Sequence, residues 1–344
     1  MKLYDDNGYL NFPGIKKLGL PFNFIVGGRA TGKTYGGLKD AWESKSKFIF
    51  MRRTEKILET IRTPELSPFK KINEDLGSRL GFARTGAHVD GIYNFEPDDD
   101  GKLRPSGALI GYLLALSTIS NVRGFDASDV DEILYDEFIK EEHERALKGE
   151  GKALLNAYET VNRNRELYGR KPVQMFCLSN SEELGNPVFI ELGLVQRAER
   201  MQRKGVESYI DTERGVGLFM LQHSPISEQK SETALYKLAG DTEFSRMALG
   251  NRFKEIDDQN IGSRPLVEYK PVVGIGEITV YKHKAHGTFY VCGHRSGSPA
   301  VYGMSDTERD RFFRIYSYLW EAYMKNKITF ETTTDEILFR RAFD

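Results

Sequence analysis

The segment Gly27-Gly-Arg-Ala-Thr-Gly-Lys-Thr34 fits G-x-x-x-x-G-K-[ST] at every fixed position. It follows the apolar run Phe22-Asn-Phe-Ile-Val26 and precedes residues that read as a helix from Lys33 onward. That is the strand–loop–helix setting the motif needs. Glycines let such a loop wrap an anion, with backbone N–H groups and the helix N-terminus facing it. The whole stretch Gly27, Gly28, Arg29, Ala30, Thr31, Gly32, Lys33 and Thr34 is therefore read as a nucleotide-phosphate cradle. Lys33 is placed to neutralise the β- and γ-phosphates, and the Thr34 hydroxyl to ligate Mg2+.

A loop of this kind sits at the end of a parallel sheet, and the flanking sequence predicts one. Lys47–Met51, Ala108–Leu116, Ile133–Tyr135 and Val173–Leu178 read as strands, and residues 86–105 as a hairpin region. Helices are predicted over 54–80 with a break at Pro64 and Pro68, over Ala153–Leu167, and from Asn186-Pro187, where Asn caps and Pro starts the helix. Alternation of strand and helix predicts an α/β fold, a mostly parallel sheet with helices on both faces. Near Pro225 the character changes to polar and helical, with a break at Gly240-Asp241. After Asp258 it becomes strand-like again, and a final helix opens on the capping-box pattern Ser305–Glu308. The expected organisation is a nucleotide-binding domain over 1–226, a helical linker or lid over 227–256, and a small β-rich α+β domain over 257–344.

Strand C-terminal ends converge on one rim of such a sheet, and ligands bind there. Asp136-Glu137 closes the apolar strand Ile133–Tyr135. Asp136 is assigned to the Mg2+ shell and Glu137 to polarising the attacking water. Asn180 leaves the strand Val173–Leu178 at the same rim, where its amide would meet the γ-phosphate or the water. This pair of carboxylates points to ATP turnover, since a pure binding module needs no polarising Glu137. A net charge of −1 excludes a protein that coats nucleic acid through bulk positive charge. Two cysteines, Cys177 and Cys292, do not make a disulfide framework. Asp5 and Asp6 stand where a secretory leader carries positive charge, and no apolar run reaches the ~20 residues of a membrane span. The chain is thus expected in the cytoplasm, without a membrane partner.

The loop, with Arg following paired glycines, resembles that of phage large terminases. More closely, the chain is similar to the DNA-packaging ATPase (encapsidation protein) family of small Picovirinae-type, protein-primed tailed phages. Phe48–Arg53, Asp136-Glu-Phe-Ile139, Thr160–Glu166, Cys177–Asn180 with Asn186-Pro187, and Leu235–Glu243 carry the resemblance, which spans about residues 20–255. It implies an ASCE-type P-loop ATPase acting as a homomeric ring, pentameric in this group. The ring would stand on the portal, or connector, of a prohead in the host cytoplasm and use ATP to drive double-stranded DNA inward. By position Arg163 matches the arginine finger supplied in trans, with Arg165 and Arg123 as alternatives. Arg29 would meet γ-phosphate in cis or pair with Glu137 between cycles. Asn162 departs from the aromatic expected ahead of the finger, and the segment Glu166–Val173 is longer than in the family.

Residues 257–344 are short for a nuclease and offer no set of strand-borne carboxylates for two metals. Lys282, His283, Lys284, His286, His294 and Arg295, interleaved with Tyr281, Phe289 and Tyr290, form a candidate surface for DNA or a structural RNA. His283, His286, Cys292 and His294 have some look of a zinc site without its paired spacing. Arg52-Arg53, Lys70-Lys71 and Arg197, Arg200, Arg203 and Lys204 are further basic candidates for DNA. Two other readings compete: a terminase-like motor with DNA cleavage, and a nucleotide-gated ring scaffold without turnover.

Overall fold

The computed structural model describes residues 1–122, 125–141, 144–145, 147–242, 245, 248–249, 253 and 260–343. The chain divides into two compact units, one of Met1–Leu194 with Arg200–Lys254, the other of Val195–Glu199 with Glu255–Asp344. In chain order the elements are α1 (Phe12–Lys16), β1 (Phe22–Gly27), α2 (Lys33–Glu43), β2 (Phe48–Arg52), α3 (Glu55–Ile61), α4 (Lys70–Leu76), β3 (Leu80–Arg84), β4 (Asp90–Pro97), β5 (Leu103–Ala115) and β6 (Glu132–Asp136). They continue with α5 (Glu150–Asn162), β7 (Gln174–Ser179), α6 (Pro187–Glu191), α7 (Val195–Lys204), β8 (Ser208–Asp211), β9 (Val216–Leu221), α8 (Pro225–Ser231) and α9 (Ala234–Ala239). The second unit adds β10 (Tyr269–Ile275), β11 (Ile278–His283), β12 (Phe289–Cys292), β13 (Ala300–Tyr302), α10 (Asp306–Met324), β14 (Ile328–Phe330) and α11 (Thr333–Arg341).

The large sheet runs β3-β4-β5-β2-β6-β7-β1-β9-β8. Its six central strands, β5 to β9 in that order, pair in parallel, and antiparallel strands close both edges. Strand β7 separates β1, which feeds the glycine loop, from β6, which ends in Asp136. This is the ASCE arrangement the resemblance implies. Both faces are covered, and the period-2 alternation of β1 shows how. Ile25 joins a core with Phe12, Leu38, Phe50, Leu134 and Phe176. Phe22 and Phe24 turn the other way, onto Tyr158 of α5 at 4.4 Å and Phe189 of α6 at 5.9 Å. The second unit is a five-stranded sheet ordered β13-β10-β11-β12-β14, packed with residues of α10 and α11. Phe312 and Leu319 of α10 are fully buried in that core, with Tyr316, Trp320 and Tyr323 packed against it. Among the described residues no helix is long and apolar enough to cross a membrane.

Several elements depart from expectation for local reasons. Helix α5 ends at Asn162 rather than Leu167, because Arg163 (φ 44°) and Asn164 (φ 57°) take the left-handed conformation. Asn162 fixes that ending: its amide donates to Glu166 at 2.7 Å and accepts from the Val173 N–H at 2.9 Å. The polar residue at this position thus ties down the longer segment that follows. The strand predicted over Ala108–Leu116 is the far end of one 13-residue strand, β5, which also forms the hairpin with β4. Ser305 caps α10 without a side-chain hydrogen bond, and the capping box falls instead at Thr332 and Asp335, at the start of α11. Residues Leu266–Glu268 form a 3-10 turn that precedes β10.

The rim beyond β2 is held by a buried ion cluster. Arg53, 1% exposed, donates to Glu150 at 2.7 Å and to Glu144 at 2.8 Å, and Tyr135 donates to Glu150 at 3.3 Å. Glu150 opens α5, so its charge also favours the helix N-terminus. Truncating Arg53 would strand a fully buried carboxylate. Arg53→Ala is expected to cost about 3–5 kcal/mol in a denaturant titration, and a loss below about 1 kcal/mol, the range of an exposed pair, would contradict this role.

Candidate functional site

Strand register builds the site. Val26 pairs with Ser179, Asp136 with Leu178, and Met51 with Tyr135. The residues just beyond these pairs, Gly27, Asn180, Glu137 and Arg52, therefore emerge side by side on one rim. The glycine loop turns into α2 at Gly32, whose φ of 84° a residue with a Cβ adopts only under strain. A Cβ there would also stand 3.2 Å from Tyr9. The N-terminal strap holds the loop from outside, with the Leu10 N–H donating to the Thr31 carbonyl at 3.0 Å.

Lys33 is buried and lies back on the loop. Its Nζ donates to the carbonyls of Gly28 at 2.7 Å and Gly27 at 3.0 Å, and lies 3.4 Å from Asn180 Oδ1. Burial pushes its pKa down to about 7. Asp136 and Glu137 oppose that fall, while Lys230 and Arg29 add to it. Thr34 Oγ1 donates to Asp136 Oδ1 at 2.8 Å. A hydroxyl and a carboxylate held this close are hard oxygen donors of the kind Mg2+ takes alongside phosphate oxygens. The residues present fit that ion.

The carboxylate pair is bound by an arginine. Arg52 Nη1 donates to Asp136 at 3.1 Å, and its Nη2 donates to Glu137. Its Nε is buried without a partner. Glu137 itself stands in the left-handed region at φ 56°, a strained backbone that aims its side chain out of the strand end. Its partial burial raises its pKa; Arg52 lowers it, and Asp136 raises it again. A carboxylate with a raised pKa is, in its ionised form, a better proton acceptor. The chemistry available here is phosphate binding, metal binding and activation of a water.

The basic residues separate clearly. Arg29 pairs with Glu141 at 2.6 Å rather than with Glu137, whose partner is Arg52. Arg52 and Arg53, adjacent in sequence, are both taken up by carboxylates, so neither is a free cation for DNA. Arg163 caps the end of α5 and donates to the carbonyls of Phe125 at 2.5 Å and Thr160 at 3.2 Å. Phe125 lies in the segment leading into β6, so Arg163 sits towards the opposite end of that strand from Asp136. Arg165 is buried, donating to Ser128 at 2.7 Å and Val130 at 2.5 Å, which makes it a fastener of that same segment. Arg123 lies outside the described residues. Arg200, Arg203 and Lys204 are exposed on α7, and Lys71 pairs with Asp75. Two participants were not anticipated from sequence: Glu141, and Lys230 of α8, whose Nζ donates to the Arg29 carbonyl. Both act across long sequence separations that no local pattern marks.

In the second unit Tyr281, Phe289 and Tyr290 are buried, so they are core rather than a stacking surface between the basic residues. Lys284 donates to the Val267 carbonyl at 2.6 Å, and Arg295 to that of Gly276 at 2.9 Å. His283 Nδ1 accepts the N–H groups of Ala285 and His286, and Cys292 is buried. No group of three or more His, Cys, Asp or Glu suited to a metal occurs among the described residues.

Comparison with known proteins gives the site a context. A family model described as Podovirus DNA encapsidation protein (Gp16) matches residues 9–269. The DNA packaging protein of Bacillus phage B103 is 27% identical over 252 residues, 70% of this chain and 67% of that protein. The DNA packaging protein of Bacillus phage phi29 is 25% identical over 241 residues, 67% of this chain and 61% of its own length. The chain thus spans about two thirds of the length of these relatives. Among solved structures, the Phi-28 gp11 DNA packaging motor aligns with a TM-score of 0.64 at 16% identity, covering 98% of this chain and 99% of that one. The bacteriophage Phi-29 viral genome packaging motor assembly aligns at 0.62 with 20% identity, covering 97% and 99%. These last two are likenesses of fold.

Lys33 yields a pH prediction. With its pKa near 7 in the free protein, it is largely neutral at pH 8, and a bound triphosphate favours its charged form. Nucleotide binding at pH 8 is therefore expected to take up close to one proton, falling towards none at pH 6, where Lys33 already carries it. Calorimetry in buffers of different ionisation enthalpy reads this directly. No uptake at pH 8 would mean that Lys33 is charged before nucleotide arrives.

Proposed function

The chain belongs to the Podovirus DNA encapsidation protein (Gp16) family, and on that footing we propose that it is an ATP-hydrolysing subunit of a homomeric ring that drives double-stranded DNA into a phage prohead. The observation that carries the reading is the convergence on one rim of Lys33, Thr34, Asp136, Glu137 and Asn180, with Thr34 and Asp136 only 2.8 Å apart. These residues come from three places in the chain, the start of α2, the end of β6 and the exit of β7, and together they offer groups for the phosphates, the metal and the attacking water of phosphoryl transfer. The named relatives are DNA packaging proteins of Bacillus phages, which supports the prohead portal in the host cytoplasm as the place of action. A five-membered ring, and a structural RNA as partner, follow from the family resemblance alone.

In this reading Gly27–Thr34 grips the phosphates and Lys33 neutralises them. Thr34 and Asp136 would hold Mg2+, which would supply positive charge against the phosphates. Glu137 accepts a proton from the attacking water, and Asn180 orients that water or the terminal phosphate. Arg52 sets the order of events. While its guanidinium engages Glu137, that carboxylate is held off the water, so turnover waits for this pair to open. Glu137 in this position supports turnover over a nucleotide-gated scaffold. Arg163 is read as the finger supplied to a neighbouring subunit. Its place towards the far end of β6 from Asp136 supports a role away from its own nucleotide.

Mixed rings test both roles. Glu137→Gln subunits are expected to bind ATP with nearly unchanged affinity and to lose turnover by about 100-fold or more. Arg163→Ala subunits doped into wild type are expected to depress ATP turnover more steeply than simple dilution, since each removes a finger from an otherwise intact neighbour. Unchanged turnover in Glu137→Gln would overturn the catalytic assignment. A loss proportional to dose would make Arg163 a residue acting only within its own subunit.

A further inference from the structure

Three cations surround the crown of the glycine loop, and they differ in their partners. Arg29 is paired with Glu141 at 2.6 Å. Lys33 is turned inward onto the Gly27 and Gly28 carbonyls. The third, Lys230, is half-buried and donates to the Arg29 carbonyl, and no carboxylate of the described residues pairs with it. A neutral carbonyl is a weak partner for an ammonium compared with an anionic oxygen. The cost of its burial is therefore poorly offset in the nucleotide-free chain, and its pKa is lowered by that burial alone.

The position of Lys230 is fixed rather than incidental. Helix α8 starts at Pro225, immediately after Ser224, whose hydroxyl donates to the Gly8 carbonyl at 3.4 Å. Pro225 packs so closely on Gly8 that a Cβ at Gly8 would stand 2.9 Å from it. The same N-terminal strap bonds to the loop through Leu10 and Thr31. Strap, loop and α8 therefore form one assembly, and the ammonium is presented at the loop by a short helix anchored at its other end.

We propose that Lys230 is a second lysine ligand of the nucleotide's phosphate chain, brought to the loop from α8 so that bound triphosphate fastens the segment following the sheet to the nucleotide site. The inference rests on the reading of residues 27–34 as the ATP site and deepens it. Triphosphate replaces a carbonyl as the partner of the ammonium, and the gain is lost when the phosphates leave. Helix α8 thereby reports the occupancy of the loop to the residues that follow it.

The test compares full-length wild type with Lys230→Met and Lys230→Arg, using ATP and inorganic triphosphate as probes in equilibrium binding. Lys230→Met is expected to weaken both by about tenfold, some 1.4 kcal/mol, and by the same factor for each, since the base takes no part. It should also flatten the salt dependence of both affinities. Lys230→Arg is expected to stay within about threefold of wild type, and the melting temperature without nucleotide to be unchanged in both variants. Wild-type affinity in Lys230→Met would overturn the inference. A fall in melting temperature with phosphate affinity intact would do so too, because it would make Lys230 only a brace for the loop. Wild-type protein that binds neither probe would instead overturn the reading of the loop itself.

Discussion

The Asp136 carboxylate accepts from Thr34, at the start of α2, and from Arg52, at the end of β2. Through it the start of α2 and the ends of the adjacent strands β2 and β6 are tied together at one rim. Glu137 is next in the chain and meets the same arginine. Asn180, one strand over, reaches the lysine of the loop. Thr34 and Asp136 are also the residues that would hold Mg2+, so metal binding and release of the carboxylate pair by Arg52 would act on one group. The electrostatic economy is tight: Arg52 is buried, and among the described residues its charge is paired with these two carboxylates.

The order of the parallel strands is what permits this arrangement. With β7 between β1 and β6, the loop and the carboxylates face one another across a strand whose end carries Asn180. A polar side chain is therefore in place where the terminal phosphate and the water would meet. The rim is stiffened from behind by Arg53, Glu144 and Glu150, so one strand end turns one arginine to the carboxylate pair at the rim and the next to the ion cluster behind it. Strand geometry assigns the roles, because successive side chains point to opposite faces.

That alternation also explains what could and could not be read from the sequence. The glycine loop, Asp136-Glu137 and Asn180 were legible because each depends on local pattern at a strand end. Arg52 and Arg53 were visible as a basic pair, but which would meet Glu137 depends on pleat and register. Glu141 and Lys230 reach the loop across 112 and 201 residues of chain, and only the fold brings them there. Strand β9 is a run of six buried residues, Val216–Leu221; its apolar continuity was the available signal, hidden beside a polar helical segment. The capping-box pattern at Ser305–Glu308 is matched in residue type and Ser305 has extended cap backbone angles, yet the hydrogen-bonded box forms at Thr332 and Asp335.

In the proposed function hydrolysis at this rim is coupled to duplex DNA. Steady-state ATP turnover measured with and without double-stranded DNA across a salt series tests that coupling. Stimulation by the duplex that fades as salt rises is expected, the signature of contacts to phosphates. Turnover that is the same with and without duplex at every salt concentration would contradict it.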